Sequence, residues 1–326
     1  RSRGLGDVYK RQIHAPVPPA LLRSYASPSI VAWVIYSKYV NGMPLYRQEK
    51  DWLQYGFELS RATMANWVIE CTDKYLRILY EFYHRLLLSR EFAMADESPI
   101  QVLKEEGREA TAKSYMWLFR SGEDDTPPIV LYKYASTRSG DVAKEFLKGF
   151  NGYLMADGYT GYNKVQDIKR CCCFAHIRRY FFDAIPKGKN RDISCPAVQG
   201  VEYCDKLFAY ERHFKEKGYS YKQIKNGRLK KEKPVIEAFL SWLEKQDPIK
   251  GSKFATAVTY ALNRKEHMMT YLEDGSCSLS NNLSEQKMKS YVIGRKGWLF
   301  SDSPEGAEAS AISYSIAETA LANGLN

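Results

Sequence analysis

Apolar positions over residues 28–90 recur at helical spacing. In "SPSIVAWVIYSKYV", Ile30, Trp33, Val34 and Tyr36 to Val40 make a broad apolar face, and "NGMP" closes it. "LYRQEKDWLQYG" reads as a second helix that stops near Gly56. Ser60 is placed to cap a third, "RATMANWVIECTDKYLRILYEFYHRLL". The turn at "YGFELS" leaves two readings open. One is a helix-turn-helix with Arg61, Thr63 and Asn66 facing DNA; the other is a plain three-helix packing unit.

From residue 91 the period shortens. "REFAMAD", "KSYMWLFR" and "PIVLYKYAS" are short, aromatic or β-branched, and separated by turn residues, as strands are. "GDVAKEFLKGF" is a short helix, "GYLMAD" a fourth strand and "IKRCCCFA" a fifth, followed by a helix at "HIRRYFFDAI". Three strands in succession and then strands alternating with helices predict a mixed sheet with helices on its faces. Residues 195–275 return to helix and interrupt the α/β region as an insertion. Within them Arg212 to Lys233 carries nine lysines or arginines against two glutamates, a solvated face or a DNA contact. At the end, Ser303 caps a helix with Pro304 at its first position, Asn323-Gly324 stops it, and Ile312, Ile316 and Ala320 form its buried stripe. The divisions expected are helical 13–90, first core part 91–190, helical insertion 191–275, and last core part 276–326.

The 326 residues are 44% hydrophobic, enough for a sizeable core. A net charge of +10 favours a polyanionic partner, nucleic acid before a membrane surface. No apolar run reaches the roughly 20 residues of a bilayer span. The first residues, "RSRGLGDVYKRQ", lack the apolar stretch of a secretory signal. They resemble translated sequencing-adapter read-through, so residues 1–12 are expected to be a non-native leader. Seven cysteines, an odd number without C-x-x-C, argue against a disulfide framework or a zinc ribbon. Cys171, Cys172 and Cys173 in a row would alternate between faces and read as small buried hydrophobes.

"FAMADESP" and "YLMADGYTGY" both end an apolar run on an aspartate, Asp96 and Asp157. In an open α/β sheet, active groups gather at the carboxyl ends of strands. If the first and fourth strands are parallel neighbours, the two acids meet at one edge, where a divalent cation relieves their repulsion. Each aspartate alone could equally begin a turn. A third acid, Glu285, falls on a helix in "SNNLSEQKMK", with Asn281, Glu285 and Lys289 at i, i+4, i+8 on one face.

Together "ADESPIQV", "MADGYTGYN", "AHIRRYF", "NNLSEQKMKSYVIGRKGWLFSDSPEGAEASAI" and "TALANGL" resemble the transposases of the insertion sequence 66 family, from about Ser27 to the C-terminus. The helical stretch "SKYVNGMPLYRQEKDWLQYGFELSRATMANWV" is similar as well. The resemblance implies a ribonuclease-H-like α/β core, a mixed sheet carrying a helical insertion and preceded by an all-helical region. It also implies a DDE triad of Asp96, Asp157 and Glu285. The chemistry implied is DNA cleavage at 3′ ends and strand transfer with two Mg²⁺ ions, or Mn²⁺ in their place. Asp96 would bridge both ions, with Asp157 and Glu285 each holding one. His176, Arg178 and Arg179 would hold phosphate, Arg295 and Lys296 would grip DNA, and Trp298 would stack on an unpaired base; Asn281 and Lys289 would lie on the DNA-facing side of the Glu285 helix. The partners implied are the element ends and target as double-stranded DNA, further copies of the chain on that DNA, and companion proteins of the element, in a bacterial cytoplasm at the nucleoid. Competing readings are a metal-dependent nuclease on the same fold and a non-catalytic DNA-binding remnant. The family pattern has Asp-Asn-Asn where this chain has Ser280-Asn281-Asn282, Glu-Arg where it has Glu285-Gln286, and Asn where it has Gly297. Its upstream cysteine-rich segment is missing, so the chain is expected to be a fragment, incomplete at both ends.

Overall fold

Five strands pair into one mixed sheet: β1 (Phe92–Gln101), β2 (Lys113–Ser121), β3 (Val130–Ala135), β4 (Tyr153–Ala156) and β5 (Lys169–Cys172). The computed structural model describes residues 26–188 and 192–325. The leader expected over residues 1–12 lies outside them. The spatial order is β3-β2-β1-β4-β5. The first three strands run antiparallel to one another, and β4 then lies parallel to both β1 and β5. The end of the first strand differs from the sequence reading. β1 does not end at Asp96 but runs on to Gln101, paired with β2 throughout, whereas its pairing with β4 stops at Met94↔Met155. Asp96 therefore stands where β4 has ended but β1 has not, at an internal step of the sheet.

Alternation along the strands sorts the core. Phe92 and Met94 join Met155 and Cys171 in a cluster with the helices that follow β5. Of those helices, α6 (Phe174–Asp183), α7 (Pro196–Glu216), α9 (Lys233–Glu244) and α10 (Lys253–Leu262) contribute buried residues, while the short α8 (Tyr221–Gly227) contributes none. Ala93, Ala95, Trp117, Phe119 and Leu154 face the other way, onto Tyr80 and Leu87 of one helix and Phe146 of another. Those helices are α4 (Arg77–Leu88) and α5 (Gly140–Phe146). The remaining cluster joins Ile100, Met116, Leu118 and Tyr132 to the N-terminal helices α1 (Pro28–Tyr39) and α3 (Arg61–Cys71) and to the last two helices, α11 (Asn282–Arg295) and α12 (Pro304–Ala322).

The N-terminal helices follow the sequence signals closely. Ser60 accepts the Thr63 N–H as a cap. The helix α2 (Leu45–Gln54) ends before Gly56, whose φ of 75° needs a residue without Cβ. The long third helix is continuous but contains a π-turn, Thr72–Leu76, between α3 and α4. Arg61, read as facing DNA, is paired with Glu49 at 3.0 Å. In the insertion, the basic stretch is not wholly a solvated face. Arg228 is buried, forks onto Glu211 at 2.7 and 2.8 Å, and donates to the carbonyls of Tyr271, Asp274 and Cys277. A guanidinium can be buried only when its protons are matched in this way.

α12 also departs from its pattern. Ser303 caps it as expected, with Pro304 in the first turn. Its most buried face, however, carries Ser310, Ser313, Ser315, Glu318 and Thr319, while Ile316 and Ala320 are only half-buried. The reason is the edge strand β3, whose outer N–H and C=O groups need partners. Ser315 Oγ accepts from Tyr132 N at 2.7 Å, and Thr319 Oγ1 both accepts from Val130 N and donates to Val130 O at 3.0 Å. Thr319→Val should leave both Val130 groups unpaired and lower stability by about 1–3 kcal/mol, with Thr319→Ser costing less. Urea unfolding of the two variants checks this; a Val variant as stable as its parent would show that the edge needs no such cap.

Candidate active site

The step in the sheet sets the geometry. Met94 pairs with Met155 in parallel register, so Asp96 and Asp157 follow in step two residues further on. Asp96 Oδ1 accepts the Glu97 N–H and Asp157 Oδ1 the Tyr159 N–H, both at 2.9 Å. The second oxygen of each is left without a hydrogen bond among the described residues. Glu285 comes from the first turn of α11. That turn is fixed by Asn281, which is fully buried and donates its side-chain amide to Ala95 O at 2.9 Å, while its backbone N–H points to Cys173 Sγ at 3.2 Å. Phe174 N also donates to Leu279 O at 3.1 Å. The start of α11 is thus tied to β1 one residue before Asp96 and to the start of α6.

The acids sense one another. Asp96 is pushed up to about 7, first by burial and then by the charge of Glu97, with Asp157 and Glu285 adding to it. Burial also raises Glu97, which projects to the opposite side of β1 and is held by Arg138 at 2.6 and 2.9 Å and by the Tyr162 hydroxyl. On the other flank, His176 Nε2 lies 3.7 Å from Glu285 Oε1, and an Arg179 amino group lies 3.6 Å from Glu285 Oε2. Burial holds the His176 imidazole below its ordinary value, against the pull of Glu285 and Asp157.

Nine buried side-chain polar atoms lack a hydrogen-bond partner among the described residues, and six belong to this corner. They are Arg170 Nε, His176 Nδ1, Arg264 Nε, Asn281 Oδ1, Ser284 Oγ and Glu285 Oε1. Buried polar groups are normally satisfied, so their concentration here marks a place built for an ion, water or ligand. The donor set of free carboxylate oxygens suits a hard divalent cation.

The other residues singled out from sequence fall into different places. Arg178 turns away from the carboxylates and pairs with Asp205 of α7 at 2.6 and 3.2 Å. Asn281, expected on the DNA-facing side, has no exposed surface, because its amide holds α11 to the sheet. Lys289 is exposed. Arg295 donates to the Pro99 carbonyl, and with the exposed Lys296 it borders a shallow depression beside Gln101 and Lys113. Trp298 is half-buried, 6.3 Å from the Tyr314 ring and under Lys38. Three residues were missed. Glu97 and Arg138 form the back of the site. Arg264, from the insertion, donates to Gly158 O at 2.8 Å and lies against the Tyr260 ring. A Cβ at Gly158 would sit 1.7 Å from its guanidinium, so the glycine after Asp157 is the one local sign that a side chain from elsewhere enters here.

A family model described as "Transposase IS66 family" matches residues 23–309. Among curated proteins, three from Sinorhizobium fredii (strain NBRC 101917 / NGR234) are similar. Uncharacterized protein y4qI is 29% identical over 96% of this chain and 60% of its own length. Uncharacterized protein y4hP is 26% identical over 93% and 58%, and uncharacterized protein y4jD 27% over 96% and 63%. The chain thus spans about three fifths of the curated relatives it matches.

Asp96 gives a pH signature. Folded, it keeps its proton up to about 7, whereas unfolded it releases it near the ordinary 3.8. The folded state therefore binds the extra proton between these values, and metal-free stability should fall as pH rises through that window. Asp96→Asn should be more stable than the parent above pH 7 by about 1–3 kcal/mol, the difference disappearing below about pH 4. Thermal melts in chelator across this range test it, and parallel curves for the two proteins would contradict the buried-carboxylate account.

Proposed function

The chain belongs to the Transposase IS66 family, and we propose that it is a DDE-type catalytic part of a transposase, which cleaves and joins DNA at the ends of an insertion sequence. The sheet order, with three antiparallel strands and two parallel ones, supports a ribonuclease-H-like core. The observation that carries the reading is the in-step pairing of β1 and β4 beside the pinned first turn of α11, which gathers Asp96, Asp157 and Glu285 into one electrostatically coupled group.

Asp96, Asp157 and Glu285 would hold divalent cations, Mg²⁺ or Mn²⁺. Such ions would activate a water or a DNA 3′-hydroxyl as nucleophile and stabilise the departing oxygen in phosphoryl transfer. The chain's own residues do the remaining work. Glu97, locked by Arg138 and Tyr162, fixes the backbone that carries Asp96. Arg264 and Arg170 hold the loop after Asp157 through the carbonyls of Gly158 and Asp157. His176, uncharged at neutral pH because it is buried, offers a nitrogen to the cleft without repelling the cations. Arg179, largely exposed and 3.6 Å from Glu285, would turn its guanidinium to a phosphate. The net charge of +10 suits DNA as partner. Further copies on that DNA and companion proteins of the element belong to the same proposal, as does action at the nucleoid. Among the described residues no helix is long and apolar enough to cross a membrane.

The test is Mg²⁺-dependent cleavage of element-end DNA, followed by joining of pre-cut ends to a target. Asp96→Asn, Asp157→Asn and Glu285→Gln should each reduce cleavage by about 10³-fold, matching the several kcal/mol an ion contributes, while DNA binding persists. Cleavage without joining would leave a nuclease. Binding without any cleavage would leave a DNA-binding remnant.

A further inference from the structure

Cys173 was expected to be an inert buried hydrophobe, and Cys171 and Cys172 on β5 are that. Cys173 is different because it lies beyond the strand, at the N-cap of α6. Its partner three residues on, His176, is in the first turn of that helix, so the two share one face. One ligand atom from each of Cys173, His176 and Glu285 lies within 4.8 Å of the other two. In a tetrahedral zinc site sulfur, nitrogen and oxygen ligands sit about 3.3–3.6 Å apart, and His176 Nε2 and Glu285 Oε1 are already at 3.7 Å.

We propose that Cys173, His176 and Glu285 form a binding site for a thiophilic divalent cation, Zn²⁺ before others, next to the Asp96–Asp157 pair and chemically distinct from it. Three observations support it. Among the described residues Glu285 Oε1, the oxygen that faces His176 Nε2, is buried without a hydrogen-bond partner. The Asn281 N–H points at Cys173 Sγ, the kind of outer contact that orients and stabilises a ligating thiolate. The ligand set balances charge: binding releases the thiol proton to solvent, and thiolate plus carboxylate neutralise the ion. Three protein ligands leave a fourth position open, as in zinc sites that keep a water.

Ligand softness separates this site from its neighbour. Sulfur and imidazole select Zn²⁺, whereas the oxygens of Asp96 and Asp157 select Mg²⁺ or Mn²⁺. Glu285 is common to both. Occupancy of the sulfur site therefore withdraws the third carboxylate from the aspartate pair, and Zn²⁺ acts as an antagonist of Mg²⁺ at this corner.

Titration of the whole, metal-free chain with Co²⁺, without DNA, tests the proposal and does not depend on transposase activity. A thiolate-to-cobalt charge-transfer band should appear, vanish with Zn²⁺, and survive excess Mg²⁺. Cys173→Ser should abolish the band, His176→Gln should weaken Co²⁺ binding at least about tenfold, and Asp157→Asn should leave it intact. Circular dichroism of each variant establishes that it is folded; should Cys173→Ser not fold, His176→Gln, at a side chain that is not fully buried, supplies the decisive variant. No band in the parent, or a band unchanged in both Cys173→Ser and His176→Gln, overturns the site. Loss of DNA cleavage with an intact cobalt band would instead count against the transposase reading alone.

Discussion

The hydrogen bond from the Asn281 side chain to the Ala95 carbonyl is the constraint on which the corner depends. It joins residues 186 apart in sequence and crosses from a helix to the middle of a strand. Ala95 O is available because β4 has already ended, so that no strand pairs with β1 on that side, although β2 still pairs on the other. The unpaired carbonyl would be costly if left buried. Asn281 satisfies it and in doing so delivers Glu285 one helical turn later. The same residue's backbone N–H reaches Cys173, so a single asparagine fixes the start of α11 against both β1 and α6.

That arrangement concentrates negative charge in a poorly solvated place. Asp96, Glu97, Asp157 and Glu285 come from three segments, and burial disfavours the ionised forms of Asp96 and Glu97. The fold answers part of this with Arg138 on Glu97 and with Arg179 near Glu285. Among the described residues no cation pairs with Asp96, and burial first, then the charge of Glu97, pushes its carboxyl up to about 7. A site that gathers acids and leaves the central one uncompensated is stabilised by a bound cation and strained without one. The unsatisfied atoms of Asn281, Ser284, Arg170 and Arg264 around it fit the same description.

Much of this was legible in the chain. The change from helical to strand spacing near residue 91, the strand ending at Asp157 and the caps at Ser60 and Ser303 each correspond to a described element, whereas the strand through Asp96 runs on to Gln101. Parallel pairing of the first and fourth strands was a condition of the two aspartates meeting, and the register meets it. What was hidden depends on partners far away in sequence. Asn281 looked like a surface residue because helical spacing aligns it with Glu285; only the gap beside Ala95 draws it inward. Arg178 and Arg179 are adjacent and alike, yet Asp205 captures the first and Glu285 neighbours the second. Arg264 left no trace except the missing side chain at Gly158. On α12 the apolar stripe misled, because an edge strand needing hydrogen-bond partners outcompeted Ile316 for the buried face.

The central claim is that Asp96, Asp157 and Glu285 are a cation-binding group and not merely three acids at turns. Anomalous diffraction from crystals of this chain soaked in Mn²⁺ tests it most directly. The account predicts a manganese peak in contact with carboxylate oxygens of both Asp96 and Asp157, with Glu285 turned toward it, and loss of that peak in Asp96→Asn. Crystals that bind Mn²⁺ only at exposed surface acids, with Asp96 and Asp157 unchanged, would contradict it.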